Sequence, residues 1–432
     1  MADFINESPG KEFTMLLKKI GNADIVVGIP TYNNETTISN ILKNCGEGLK
    51  KYYPELKSVI LNADSDSEDR TTNTIRKTML PKGIECISTK YSGVKGKGSA
   101  IREILEGARM LDAKACVIFE ADTLSVTPEW IYNMVNPVLK SGYGFVAPYY
   151  IRNEHDATIN NTLAYPLTRA LYGLRIRQPI GGDFSFSNGV LQVFTREKYW
   201  EKYSHIGKYG VDIWMTTTAL NEGFRVCQSV LGTKLHEKNP HREIESIFMQ
   251  VAGTIFDLMR NYEYRWRDVI GSIQGFIMGD FKFVEAERFK ANYNELMQKF
   301  YEGQEAYKNI WKIIFEDTTH REFRNTLSAN SPENVTLSVE LWTKIVYEFA
   351  CAYNFVSPGE REILLKAMLP FYYLRTATFI KEAELFSDEI ADAIIEGNAG
   401  VFERVKWYLL DRWDFYKNKK IRISLDLKSL KR

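Results

Sequence analysis

The chain has 432 residues, of which 44% are apolar and 13% aromatic, and its 56 lysines and arginines meet 55 acids for a formal net charge of +1. That length points to two domains, and that composition to a globular chain with ample core material. The near-neutral balance excludes a generally basic nucleic-acid-binding surface, and no run approaches the roughly 18 apolar residues of a membrane span.

The N-terminus, MADFINESPGKEF, has no apolar leader segment, so secretion is not expected. DIVVGIP (24–30) predicts a β-branched strand stopped by Pro30, followed by the polar loop TYNNET and the helix TISNILKNCGEGLKKY. SVILNAD (58–64) predicts a second strand ending at Asp64, with the polar turn SDSEDRTT leading into the next helix. GIECISTK (83–90) reads as a third strand; a loop with Gly93, Gly96 and Gly98 follows, then the helix SAIREILEGARML. CVIFEAD (116–122) is a fourth strand running into a turn. This alternation predicts a mostly parallel, Rossmann-like α/β sheet covered by helices. Every candidate site in it falls just past the C-terminal end of a strand, the edge where such sheets bind ligands. From about residue 261 the spacing becomes helical: Trp342, Ile345, Phe349 and Ala352 share one face, an aromatic stripe that suits core or dimer packing. The expected division is therefore 1–260 and 261–432. Cys45, Cys86, Cys116, Cys227 and Cys351 lack CxxC spacing and read as free thiols of a cytoplasmic protein.

Residues two apart in a strand point to one side, so Glu120 and Asp122 converge on one cation or polar ligand. A divalent ion would offset the cost of placing two carboxylates together; two unrelated acids at a loop start would look the same in sequence. In SGVKGKGSA (92–100) the glycines permit close backbone approach, and Lys97 adds a cation beside a helix N-terminus, which suits a diphosphate. The spacing is neither a Walker A loop nor a dinucleotide fingerprint. Gly181 and Gly182 before Asp183 suggest close approach to something small. Asp212 opens a helix, where it would also serve as an N-cap. His236 closes a strand-like stretch and would share a divalent ion with Asp122 if the fold returns it there.

Taken in order, YNNETTI, GKGSA, FEADTLSVTPEWI, YYIRNEHDATIN, QPIGGDF, YGVDIW and the LH before EKNP resemble GT-A glycosyltransferases. Within these, the chain is most similar to the retaining synthases of mannosylglycerate and of glucosyl-3-phosphoglycerate. The likeness covers about the first 260 residues and continues more weakly into the helical tail. It implies a GT-A nucleotide-sugar domain and the transfer of glucose or mannose to glycerate or 3-phosphoglycerate, as in compatible-solute synthesis. It implies a divalent metal, Mg²⁺ or Mn²⁺, and a donor such as UDP-glucose or GDP-mannose; a homodimer is plausible. By the same resemblance Pro30, Thr31, Asn34, Glu35, Asp64, Lys97, Glu120 and Ala121 would bind the sugar nucleotide. Asp122 and His236 would hold the metal, and Arg152, Asn160 and Gly182 the acceptor. Asp183 and Asp212 would lie at the reacting sugar.

The chain departs from that pattern in two ways. Glu120 stands where relatives usually carry Asp. Relatives that take the phosphorylated acceptor carry arginines after the late histidine, where this chain has Glu237, Lys238 and Asn239, and an arginine in the acceptor helix, around which this chain has Thr158 and Tyr165; Lys238, His241 and Arg242 are the available substitutes. Both acceptors therefore stay open. Other readings are a transferase for another hydroxy acid, a lipid or a polysaccharide, a sugar-phosphate nucleotidyltransferase, and a sugar-nucleotide-binding scaffold without activity. No membrane anchor is evident for the lipid reading, and TYNNET occupies the loop where a nucleotidyltransferase would be glycine-rich.

Overall fold

The computed structural model describes residues 10–91, 94–151, 156–237, 243–280, 292–328, 334–384, 386–419, 423 and 425. They group into two compact units that interleave along the chain. The first takes residues up to 151, then 176–237 and 274–280; the second takes 156–175, 243–273 and the described residues from 292 onward. The expected boundary at 260 falls inside a helix, Ile244–Asn261, that belongs wholly to the second unit. A linear reading divides a chain once, whereas here two excursions leave the first unit and return.

The first unit is built on eight strands. In chain order these are β1 (Ile25–Thr31), β2 (Ser58–Asp64), β3 (Glu85–Lys90), β4 (Ala115–Ile118), β5 (Phe145–Ile151), β6 (Phe184–Ser187), β7 (Val226–Thr233) and β8 (Ile277–Met278). Their order across the sheet is β8-β7-β5-β6-β4-β1-β2-β3. All neighbours run parallel except β6, which lies antiparallel to both β4 and β5. The mostly parallel sheet expected from the sequence is thus present, with one reversed strand inserted at its middle.

β1 and β2 are buried almost throughout, which is why they read as continuous apolar runs. Their faces pack on the helices α1 (Ile38–Tyr52) and α2 (Lys97–Met110). Pro30 does not stop β1, which runs one residue further. Pairing with β4 covers only Ile25 to Gly28, so on that side the ladder has already ended where Pro30 would need to donate. The parallel ladder with β2 brings Thr31 level with Asp64. β6 begins directly after Asp183 and pairs Phe184 with Ile118. Being antiparallel, it starts at the edge where β1, β2, β4 and β7 end. One sheet edge therefore receives residues from five separate parts of the chain.

The second unit is helical in its later part, as expected: Tyr293–Ile314, Asp317–Ser328, Val339–Phe355, Arg361–Ala383, Asp388–Arg404 and Lys406–Asn418. Trp342, Ile345, Phe349 and Ala352 are all buried, and Trp342 Nε1 donates to the Thr162 carbonyl at 2.7 Å. The aromatic stripe is core. Glu348 is also buried there, bonded by the Glu316 amide at 3.0 Å and the Tyr408 hydroxyl at 2.5 Å, which satisfies a carboxylate that burial alone would disfavour. Among the described residues no helix is long and apolar enough to cross a membrane.

Candidate active site

The β1 edge is braced before any ligand is considered. Thr31 Oγ1 donates to Asp64 Oδ2 at 2.8 Å, and the Ser67 amide and hydroxyl donate to the same carboxylate at 2.8 and 2.7 Å. Asp64 is fully buried, so it holds the turn after β2 and does not present itself to a base; contact with one would require opening those bonds. Asn34 is likewise a loop brace: its Oδ1 accepts from the Tyr32 amide at 2.8 Å and its amide donates to Thr71. Glu35 pairs with Arg70 at 3.0 Å on the exposed rim. Pro30 is half-buried at the strand end. Thr37 Oγ1 donates to the Ala121 carbonyl at 2.5 Å, which ties this loop to the turn after β4.

Strand β4 ends at Ile118, so Glu120 and Asp122 sit in the turn beyond it and strand alternation does not set their direction. A different pairing does. The Leu124 amide donates to the Leu235 carbonyl at 2.8 Å, the Glu237 amide donates to the Asp122 carbonyl at 3.1 Å, and Thr123 bridges to His236. Two segments more than a hundred residues apart are thereby locked side by side. His236 Nδ1 comes to 3.8 Å from Asp122 Oδ1, longer than a hydrogen bond. With Glu120 they form a cluster whose ligand atoms all lie within 4.8 Å of one another. The fold thus returns His236 to Asp122.

Around this cluster the charges alternate. Lys97, the first residue of α2, reaches Glu120 Oε1 at 2.5 Å and Asp212 Oδ2 at 2.6 Å. Lys234 reaches Glu120 Oε2 at 2.5 Å, Asp183 Oδ2 at 2.7 Å and the Gly181 carbonyl at 2.8 Å. Asp183 Oδ1 accepts from the Glu120 amide at 2.8 Å, and its other oxygen also takes the Tyr150 hydroxyl. The side chains of Asp183 and Lys234 are 0% exposed, whereas Asp122 keeps 28% of its surface open. Asp183 therefore lies beneath the site as a brace, and Asp122 faces outward.

Burial opposes ionisation of Glu120, yet Lys234 and Lys97 outweigh it and hold the carboxyl well below its usual range. Burial likewise opposes the charge on Lys97, but Asp212 and Glu120 hold its pKa above the ordinary lysine value. Asp212 differs: burial dominates and raises its pKa despite Lys97. It is the second residue of α3 (Val211–Asn221), whose N-cap is Gly210, so the capping role open in sequence is not its role. Its second oxygen, Oδ1, is buried with no hydrogen-bond partner. A buried orphan acceptor beside an open cluster is the kind of atom a ligand hydroxyl satisfies.

The donor set fits a divalent cation. Four carboxylates, Glu120, Asp122, Asp183 and Asp212, face two ammonium groups, an excess of negative charge that one such ion offsets. Carboxylate oxygen with imidazole suits Mn²⁺ or Mg²⁺.

Two glycines act differently from expectation. A β-carbon on Gly98 would fall 1.7 Å from the Ile206 carbonyl oxygen, so this glycine admits the protein's own 206–207 backbone, to which the Ser99 amide donates at 3.0 Å. Gly182, at φ +86°, lies under Glu120: a β-carbon there would fall 2.2 Å from the Glu120 carboxyl carbon. Gly182→Ala is expected to cost about 2 kcal/mol or more, from left-handed strain plus displacement of Glu120. Thermal unfolding of the variant, read alongside its turnover, checks this.

Asn160 lies in the second unit, buried in a π-helical turn (Asn160–Ala164), where its amide donates to Asn161 at 3.2 Å. Thr158 and Tyr165, in the same unit, are bonded to Tyr372 and Glu396. Arg152, Gly93, Lys238, Asn239, His241 and Arg242 lie outside the described residues. Lys234 is the residue the sequence reading passed over. The spacing that singled out Glu120 and Asp122 recurs in Lys234 and His236, and applying it to TKLH as well as EAD would have found it.

No curated protein matches the chain. Among solved structures, glucosyl-3-phosphoglycerate synthase from Mycobacterium tuberculosis in complex with Mn²⁺, UDP-Glc and phosphoglyceric acid aligns at 20% identity over 59% of this chain and 85% of that one, with a TM-score of 0.43. The same protein with Mg²⁺ and UDP aligns at 20% identity over 59% and 84%, TM-score 0.42. A structure described only as a mycobacterial protein aligns at 21% identity over 59% and 79%, TM-score 0.42. Residues 26–201, which span β1 to β6, match the family model described as Glycosyl transferase family 2. Over that span the chain is similar to the family 2 glycosyl transferases.

Proposed function

We propose that this chain transfers glucose or mannose, with retention, from a sugar nucleotide to glycerate or 3-phosphoglycerate, and that it does so with a divalent cation held by Asp122 and His236. The observation that carries this reading is the meeting of Asp122 and His236 beside Lys97 and Asp212 at one sheet edge. Retention and the small hydroxy-acid acceptor follow from the motif resemblance.

When bound, the cation would supply positive charge to a departing diphosphate. Lys97 adds a fixed ammonium at the start of α2, where the helix terminus also favours negative charge. To reach a phosphate, Lys97 exchanges at least one of its two carboxylate partners. Asp212 keeps a second oxygen, Oδ1, without a partner, which suits it as acceptor for a sugar or substrate hydroxyl. Asp183 and Gly182 fix Glu120 from below. Arg152 and Asn160 are assigned to the acceptor by the motif resemblance alone, a guanidinium being suited to grip a carboxylate in bidentate fashion. Pro30, Thr31, Asn34, Glu35, Asp64 and Ala121 shape the nucleoside end, the buried ones by bracing the loops. All five cysteines are unpaired and four are buried, which supports a reducing, cytoplasmic setting.

Incubating the protein with Mn²⁺ or Mg²⁺, UDP-glucose or GDP-mannose, and glycerate or 3-phosphoglycerate tests the reading. Nucleotide release that requires both metal and acceptor, with a glycosylated hydroxy acid as product, is expected from one donor–acceptor pair. Release with no acceptor dependence in any combination would overturn the assignment.

A further inference from the structure

We propose that Lys234 is a positioning residue that keeps Glu120 off the metal. This deepens the reading above and rests on it. Glu120 belongs by distance to the same cluster as Asp122 and His236 and carries a longer arm than aspartate, so nothing in its reach prevents it from becoming a third ligand. Its oxygens are instead taken one each, Oε1 by Lys97 and Oε2 by Lys234.

The two lysines are not equivalent. Lys97 is partly open and shares itself with Asp212, so a diphosphate draws it away from Glu120. Lys234 is enclosed: it is 0% exposed, anchored by Asp183 and the Gly181 carbonyl, and seated 4.9 Å from the centre of the Tyr150 ring. An ammonium fixed on so many sides has no competing ligand to follow. When Lys97 turns to the donor, Lys234 still holds Glu120 back. Among the described residues Asp122 and His236 then remain the protein ligands the cluster offers, and coordination positions stay open for donor oxygens. A chelating Glu120 would fill one of them. Gly182 completes the device, since the carboxylate rests where any side chain at that position would stand.

Removing a lysine that served only as counter-ion to buried Asp183 would also tighten Mn²⁺ binding, by taking away cationic repulsion, but would leave the number of coordinated waters unchanged. The positioning role predicts tighter binding together with the loss of one coordinated water. In Lys234→Met, Mn²⁺ titrated without donor is expected to bind about tenfold tighter, the low end of the range that outer-shell partners control. The bound ion should carry one coordinated water fewer by electron paramagnetic resonance in ¹⁷O-enriched water, and turnover should fall. Lys234→Met/Glu120→Gln should return both affinity and water count to within about threefold and to the wild-type number, respectively. Unchanged or weaker Mn²⁺ binding, or an unchanged water count, in a folded Lys234→Met would overturn the proposal. If that variant does not fold, Glu120→Gln alone decides: a water count equal to wild type supports the proposal, and one additional water overturns it, because Glu120 would then have been a ligand. Failure of the wild type to bind Mn²⁺ at all would remove the metal reading itself, which separates the two failures.

Discussion

Asp122→Ala is expected to lower kcat by on the order of a thousandfold, because several kcal/mol of charge stabilisation at the leaving group depends on the cation it holds. The variant should still fold. Asp122 is partly exposed, and its turn is secured by backbone bonds to Leu235 and Glu237 that the side chain does not make. His236→Ala should show the same loss, and the double variant little more than either single one, since two ligands of one ion act as a unit. Chelation of the wild type should mimic the variants and be reversed by added Mn²⁺. Turnover measured with circular dichroism as a control for folding checks all four statements. Additive losses would mean that the two residues serve different purposes.

Lys97→Met should be nearly as damaging, and in two separable ways. It removes the ammonium that faces the diphosphate, with an expected loss of about a hundredfold in kcat, the lower end for deleting one preorganised donor. It also strands Asp212, whereas Glu120 keeps Lys234. Asp212 is buried with one oxygen already unpartnered, and removing the ammonium it pairs with should cost about 3 kcal/mol of stability. Burial already lifts the Asp212 pKa, so in the variant it should take up a proton rather than remain a buried anion. Adding Asp212→Asn to Lys97→Met should therefore recover most of the lost stability and none of the lost turnover. Denaturant unfolding of the single and double variants, set beside their kcat values, measures the two effects independently. Recovery of activity in the double variant would contradict the role given to Lys97.

Much of this was legible in the sequence. Strands β1 to β4 and helices α1 and α2 appear where β-branched runs and helical spacing put them, because each is a local pattern. The convergence of Asp122 with His236 was expected only on the condition that the fold returned the histidine, and the resemblance of the whole ordered motif set supplied that condition. What escaped notice depends on long-range pairing. β6 is four residues of FSFS whose reversed direction comes from pairing with β4 and β5. The Gly98 contact with Ile206 joins loops a hundred residues apart. Asp64 is assigned to the nucleotide through the resemblance alone, and the bond it accepts from Thr31 across two strands carries no local mark. Lys234 carries a sequence signal, the two-residue spacing to His236 that Glu120 has to Asp122, but the charge count that explains its burial needs the fold. The interleaving of the two units has the same cause: excursions that leave and rejoin a sheet carry no compositional mark.

The most direct measurement is the position of the ion itself. Crystals of the protein grown or soaked with Mn²⁺ and examined by anomalous scattering should show a single strong peak in the first unit, bonded to the Asp122 carboxylate and the His236 ring, with Glu120 still held by Lys234. A peak that leaves either Asp122 or His236 outside bonding distance, or none at the β4 edge at saturating Mn²⁺, would contradict the account.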